Sequence, residues 1–212
     1  MLLVIETATA ACSAALLGDD ASLLDERHEI VGRGHAERLV QMVADMLGGR
    51  RPASILVDCG PGSFTGVRVG LAAAHGLAIG WGVPLAGYSS LALLASASGE
   101  REVAVALAGG HGELFVQSYG GDPIRALDAL ASLSPEAAAA RIGAGLVVGP
   151  GAEALVAARG FGRWSDALPR AADAALLPPP LRSLPARPIY GRAPDAKPVR
   201  SDAAGGVEGP MI

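Results

Sequence analysis

Apolar runs and short polar breaks alternate along this chain, and the period changes from run to run. Residues 2–7 are almost continuously apolar and predict a buried first strand. Residues 12–18 predict a second strand and residues 21–30 a third, more polar one. Short turns at Ala8-Thr9-Ala10 and Gly18-Asp19-Asp20 would join them into an antiparallel meander. From His35 to Leu47 the period becomes helical. Leu39, Met42, Val43, Met46 and Leu47 share one stripe, and Gly48-Gly49 ends the helix. Ser54 to Asp58 reads as a buried strand, followed by a glycine-rich loop from Gly60 and a helix over 65–81. A short strand at 83–87 and a helix capped by Ser89 or Ser90 and running to Ala97 complete the first half.

The polar run Ser98-Gly99-Glu100-Arg101-Glu102 predicts a boundary. Beyond it, strands are expected at 103–107 and 114–119 around Gly109-Gly110, and at 146–148. Helices are expected at 135–141, with Pro135 in the first turn, at 152–159, and at 171–177, where Pro178-Pro179-Pro180 stops the last. The element types of the first half therefore recur in the second without a repeat of sequence. This gives an α/β chain of two related lobes, residues 1–99 and a smaller 100–200. Residues 201–212 carry no periodic pattern and are expected to be a loose tail.

The loop Gly60-Pro61-Gly62-Ser63-Phe64-Thr65-Gly66 supports two readings. Glycines before a helix can present free N–H groups to an anion, with Ser63 or Thr65 as the cap. They can equally supply backbone freedom for a tight turn. The following helix has small residues at Gly66, Gly70 and Ala74, and again at Gly76 and Gly80. Each interior glycine costs roughly 1 kcal/mol against alanine, so close packing by another element is expected to offset it. That element is either the home sheet or a partner. Met42 and Met46 suit an adaptable partner surface in the same way. At the end of the first strand, Glu6-Thr7-Ala8-Thr9 joins an acid to small hydroxyl residues, a pattern able to hold a metal–phosphate group or simply to turn the chain.

Composition narrows the choice. Half of the 212 residues are hydrophobic, enough for a core, and no apolar run reaches the ~18 residues of a membrane span. Two cysteines, Cys12 and Cys59, are too few for a disulfide framework, so a cytoplasmic location is expected. A net charge of -4 argues against a broad nucleic-acid surface. Lys197 is the sole lysine and lies outside any Walker loop, which excludes P-loop chemistry. His28, His35, His75 and His111 form no zinc-binding pair, so neither a metal nor a metallopeptidase is expected.

The run from Gly60 to Leu71, continued by Val83-Pro84-Leu85 and Ser89-Ser90-Leu91, resembles the TsaB (YeaZ) family. Ile5-Glu6-Thr7-Ala8, His35-Ala36-Glu37-Arg38-Leu39, Gly112-Glu113-Leu114-Phe115 and Pro188-Ile189-Tyr190-Gly191-Arg192 add to it. The resemblance is strong over the first 95 residues and thin afterwards. It implies an actin/Hsp70-like (ASKHA) ATPase fold. It also implies a non-catalytic scaffold that pairs with TsaD, the subunit that transfers threonylcarbamoyl to the tRNA adenosine beside the anticodon, with TsaE joining. tRNA would be met only through the complex, no cofactor is implied, and a homodimer is the alternative pairing. The implied partner face comprises His35, Leu39, Met42, Val43, Met46, Gly66, Val69, Gly70, Ala73, Ala74 and Leu77. Glu6, Thr7, Ser63 and Thr65 would be a vestigial nucleotide or anion site. Two departures from the family pattern fall there. Glu6-Thr7-Ala8 replaces Asp-Thr-Ser, and Ala108-Gly109-Gly110-His111 replaces Asp-Ala-Arg-Arg. The rival reading is an active ATPase or small-molecule kinase of the same fold.

Overall fold

The computed structural model describes residues 1–191; the expected tail at 201–212 lies outside the described residues. Strands β1 (Leu2–Glu6), β2 (Ala11–Leu17) and β3 (Leu23–Ile30) form the meander, and α1 (His35–Leu47) follows. Then come β4 (Ser54–Asp58), α2 (Phe64–Trp81), β5 (Leu85–Tyr88) and α3 (Ser90–Ala97). The first sheet has the order β3-β2-β1-β4-β5, antiparallel among the first three strands and parallel from β1 to β5.

The second half repeats this scheme. Its strands are β6 (Glu102–Ala108), β7 (Leu114–Gly120), β8 (Arg125–Ala126) and β9 (Ala131–Leu133). They are followed by α4 (Pro135–Arg141), β10 (Leu146–Val148), α5 (Ala152–Arg159) and β11 (Arg163–Ser165). The second sheet runs β11-β10-β6-β7-β8, with β9 also on β7. Read from its own first strand β6, this order matches that of the first sheet, with β8 and β9 sharing the place of a third strand. The two related lobes of the actin/Hsp70-like fold are therefore present. The short strands β8, β9 and β11 have no sequence period, which is why the pattern of residues did not announce them.

Alternation in β1 explains the layering. Leu3 and Ile5 turn toward α1 and α2, while Val4 turns to the other side, into a core with α3, Val103, Val105 and Ala174. That second core fills the space between the sheets, so α3 and the segment 171–177 form a shared central layer. Beyond the second sheet, Ala106, Val116 and Val147 pack against Ala138 of α4 and Leu155 of α5. The expected helix at 171–177 is a 3-10 turn over Ala171–Leu176. So few residues before a proline run cannot nucleate a stable α-helix alone, and burial between the sheets holds the turn instead. Its Ala171 N–H donates to the buried Ser13 hydroxyl at 3.0 Å. The chain then returns to the first lobe: Leu184 bridges Gly87, and the Ile189 N–H donates to the Cys59 carbonyl at 2.8 Å.

Candidate functional site

In an open sheet, the carboxyl ends of parallel strands are where chemistry gathers. Here β1 and β4 run side by side in the register Ile5↔Val57, so their next residues, Glu6 and Asp58, are neighbours. Both are buried to 1% exposure or less. Glu6 accepts the Ala8 N–H at 2.8 Å, and the Tyr88 hydroxyl lies 3.1 Å from its other oxygen and from the Ile5 carbonyl. Asp58 accepts the Ser90 hydroxyl at 2.8 Å and the Gly60 N–H at 3.1 Å. No basic side chain among the described residues pairs with either acid. Burial, and then the charge of Asp58, pushes the Glu6 carboxyl well above its ordinary range. Burial lifts Asp58 to about 7, against the pull of the Ser90 and Gly60 bonds. The pair ties together the β1–β2 turn, the loop after β4 and the start of α3.

The glycine loop is clamped onto that turn. The Ser63 N–H donates to the Ala8 carbonyl at 2.7 Å, and Ser63 Oγ caps α2 by accepting the Gly66 N–H at 3.2 Å. These donors are therefore taken by the protein itself. A Cβ on Gly62 would fall 2.2 Å from the Ala8 carbonyl oxygen, and one on Gly66 would fall 2.0 Å from the Thr7 carbonyl oxygen. A Cβ on Gly70 would meet Thr7 Oγ1 at 2.4 Å. The glycines are there because β1 and its turn press directly on α2. Thr7 is buried and donates its hydroxyl to the Gly66 carbonyl at 2.8 Å.

Beside the loop, turns from both lobes and the returning segment enclose a cleft of ≈ 610 Å³. Ser63 lines it, whereas Glu6, Thr7 and Asp58 do not. Phe64 stacks on Tyr190 with ring centroids 5.4 Å apart, and the Arg68 guanidinium sits 4.5 Å from the centre of the Phe64 ring. No cluster of three or more His, Cys, Asp or Glu among the described residues is arranged to hold a metal.

The residues expected at the partner face divide between the core of the chain and its surface. Leu39, Met42, Val43 and Met46 are buried in the core of the first lobe, so the stripe of α1 faces its own sheet. His35 is buried too, with Nε2 2.9 Å from the Thr9 carbonyl and 3.2 Å from that of Ala11. Gly66, Gly70 and Ala74 face β1 for the reason just given. Val69, Ala73 and Leu77 are half-buried at the edge of this packing. The outer face of α2 instead holds Ala72, Gly76, Ile79 and Gly80, and added Cβ atoms at Gly76 and Gly80 would meet nothing within 4 Å. Val40 lies exposed on α1, which packs beside α2. Of the expected anion residues, Glu6 and Thr7 are sealed below the loop, while Ser63 and Thr65 are exposed. Asp58 escaped the sequence reading because it looked like the polar end of a strand. Its lateral pairing with Glu6 was the missing signal. Burial pushes the Cys12 and Cys59 thiols up to about 11 and about 12, which leaves both inert at neutral pH.

Comparison with known proteins fits this geometry. Residues 28–144 match the family model described as TsaD: tRNA N6-adenosine threonylcarbamoyltransferase. The chain is 36% identical over 129 residues to the tRNA threonylcarbamoyladenosine biosynthesis protein TsaB of Escherichia coli, covering 56% of this chain and 54% of that one. It is 39% identical over 106 residues to TsaB of Haemophilus influenzae, covering 47% and 43%. These alignments span about half the length of the curated relatives or less. Among solved structures, YeaZ from Pseudomonas aeruginosa superposes with a TM-score of 0.74 at 28% identity, covering 89% of this chain and 98% of that one. With residues 28–144 matched by that family model and 89% of its length by the YeaZ structure, the chain belongs to the TsaB (YeaZ) family.

Proposed function

We propose that this protein is a docking subunit for a TsaD-type catalytic protein in the formation of threonylcarbamoyladenosine on tRNA, and that it supplies no reacting group itself. The observation that carries this reading is the split among the α2 glycines. Gly66 and Gly70 are required by the home strand, but Gly76 and Gly80 face open space. Each of the latter weakens the helix by roughly 1 kcal/mol with no return inside the monomer. A second helix approaching closely over Ala72, Gly76 and Gly80 would give that return, with exposed Ile79 and Val40 at the margin. Val69, Ala73 and Leu77 would form the floor of the contact. The sealed Glu6 and the occupied loop amides favour a scaffold over an ATPase or kinase. Help to the catalytic partner would come from tighter binding to its competent state. TsaE would join the assembled pair, tRNA would be met through it, and a second copy of this chain would compete for the same face at high concentration.

Co-purification with TsaD tests the reading. Gly76→Arg and Ala72→Arg should abolish the complex while leaving thermal unfolding unchanged or slightly raised. Full complex with both variants would refute the docking assignment. No helix among the described residues is long and apolar enough to cross a membrane.

A further inference from the structure

The cleft between the lobes has no part in the docking just proposed, and its chemistry points to a ligand. Its volume of ≈ 610 Å³ falls within the roughly 300–1,000 Å³ typical of small-molecule pockets. Its walls are mostly apolar, with rings from Phe64, Phe115 and Tyr190 and aliphatic surface from Leu107 and Ile189. Arg68 is the one charged side chain among the described lining residues. It lies over the Phe64 ring and forms no ion pair among the described residues. Phe64 is 57% exposed and Tyr190 55%, so the lip of the cleft shows ring surface to water. Exposed apolar surface around a concavity marks a binding site more often than chance.

We propose that this cleft binds a small amphiphilic anion, a flat apolar ring carrying a single carboxylate or sulfonate-like charge. The ring would lie among Phe115, Phe64 and Tyr190, and the charge would meet the Arg68 guanidinium, which has donors to spare and a planar fork suited to such oxygens. The lining also defines what is refused. A nucleoside triphosphate brings several negative charges and a metal ion, and the described residues of the cleft offer one cation and no carboxylate. A neutral apolar ligand would fill the walls but leave Arg68 without its counter-ion.

Two dyes separate these cases: 1-anilinonaphthalene-8-sulfonate and its uncharged relative N-phenyl-1-naphthylamine, each titrated into the full chain and followed by fluorescence. The expected result is one saturable sulfonate-dye site per chain. Arg68→Gln should weaken the charged dye about tenfold, the size of one charge-assisted contact, and leave the neutral dye unchanged. Arg68→Lys should restore part of the preference. Ala108→Trp, at an exposed position in the cleft wall, should fill the space and remove both dyes. The double variant Val40→Glu, Ile79→Glu on the helical face should change neither. Binding that survives Ala108→Trp, or is lost in the helical double variant, would place the dye elsewhere and overturn the proposal. Equal weakening of both dyes by Arg68→Gln would overturn the charge assignment. Circular dichroism and thermal unfolding of each variant keep loss of fold distinct from loss of binding.

Discussion

Gly66 and Gly76 belong to one helix and answer to different neighbours. At Gly66 any Cβ would collide with the Thr7 carbonyl oxygen, a backbone atom that cannot swing aside. Gly66→Ala should therefore cost about 1–3 kcal/mol, the range for overpacking a tight core. Gly76→Ala should gain up to about 1 kcal/mol, because it adds helix propensity and meets nothing. Urea unfolding of the two variants checks the opposite signs. Glu6 yields a second prediction. Burial and the charge of Asp58 push its carboxyl above the ordinary range, so over that interval the folded chain binds more protons here than the unfolded chain does. Stability from this pair is then greatest below the ordinary carboxylate range and falls as pH rises through neutrality. Glu6→Gln fits the same bonds, since its amide can donate to the Tyr88 hydroxyl while Tyr88 donates to the Ile5 carbonyl. The variant should be more stable than the parent at pH 8, by on the order of 1 kcal/mol, with a flatter profile between pH 5 and pH 8. An unchanged profile would show that Glu6 takes up no proton on folding and would refute the raised carboxyl.

Two adjacent positions on α1 have opposite surroundings. Leu39 is 1% exposed and Val40 65%. Leu39→Arg should leave an unpaired charge in the first-lobe core and prevent folding, whereas Val40→Arg should fold normally and weaken the partner complex. Far-ultraviolet circular dichroism and gel filtration with TsaD distinguish the two outcomes. The helix itself was legible from its stripe of Leu39, Met42, Val43 and Met46. The identity of the surface under that stripe was not, because an apolar period reports that something apolar is opposite without saying whether it is a sheet or a partner. The same ambiguity applied to the small residues of α2, and only the positions of Thr7 and Ala8 resolved it. Lateral pairing across strands is likewise invisible to a one-dimensional pattern, which is how Asp58 was overlooked beside Glu6.

The whole molecule is held by the layer its lobes share. Leu91 and Leu94 of α3, with Ala171 and Ala174, pack in one core with Val4 of the first sheet and Val105 of the second. Arg170 is paired with Glu26, and the returning segment lies along the first lobe at Cys59 and Gly87. The chain should therefore unfold in a single transition by fluorescence and by circular dichroism. A fragment of residues 1–99 should lose cooperative unfolding, because the far side of α3 would face water; two independent transitions in the full chain would refute this. Duplication of element types was readable from the sequence, since turns and periods recur in the same order. The shared layer was not, since it depends on which face of each sheet turns inward. The split among the α2 glycines has a consequence for the tolerance of the chain to change. Saturation mutagenesis scored by abundance alone should find positions 62, 66 and 70 intolerant and positions 76 and 80 permissive. Scored by capture of the partner, the same library should turn 76 and 80 intolerant as well. One helix would then carry two superimposed records of constraint, written by its own strand and by another protein, and separable by the choice of selection.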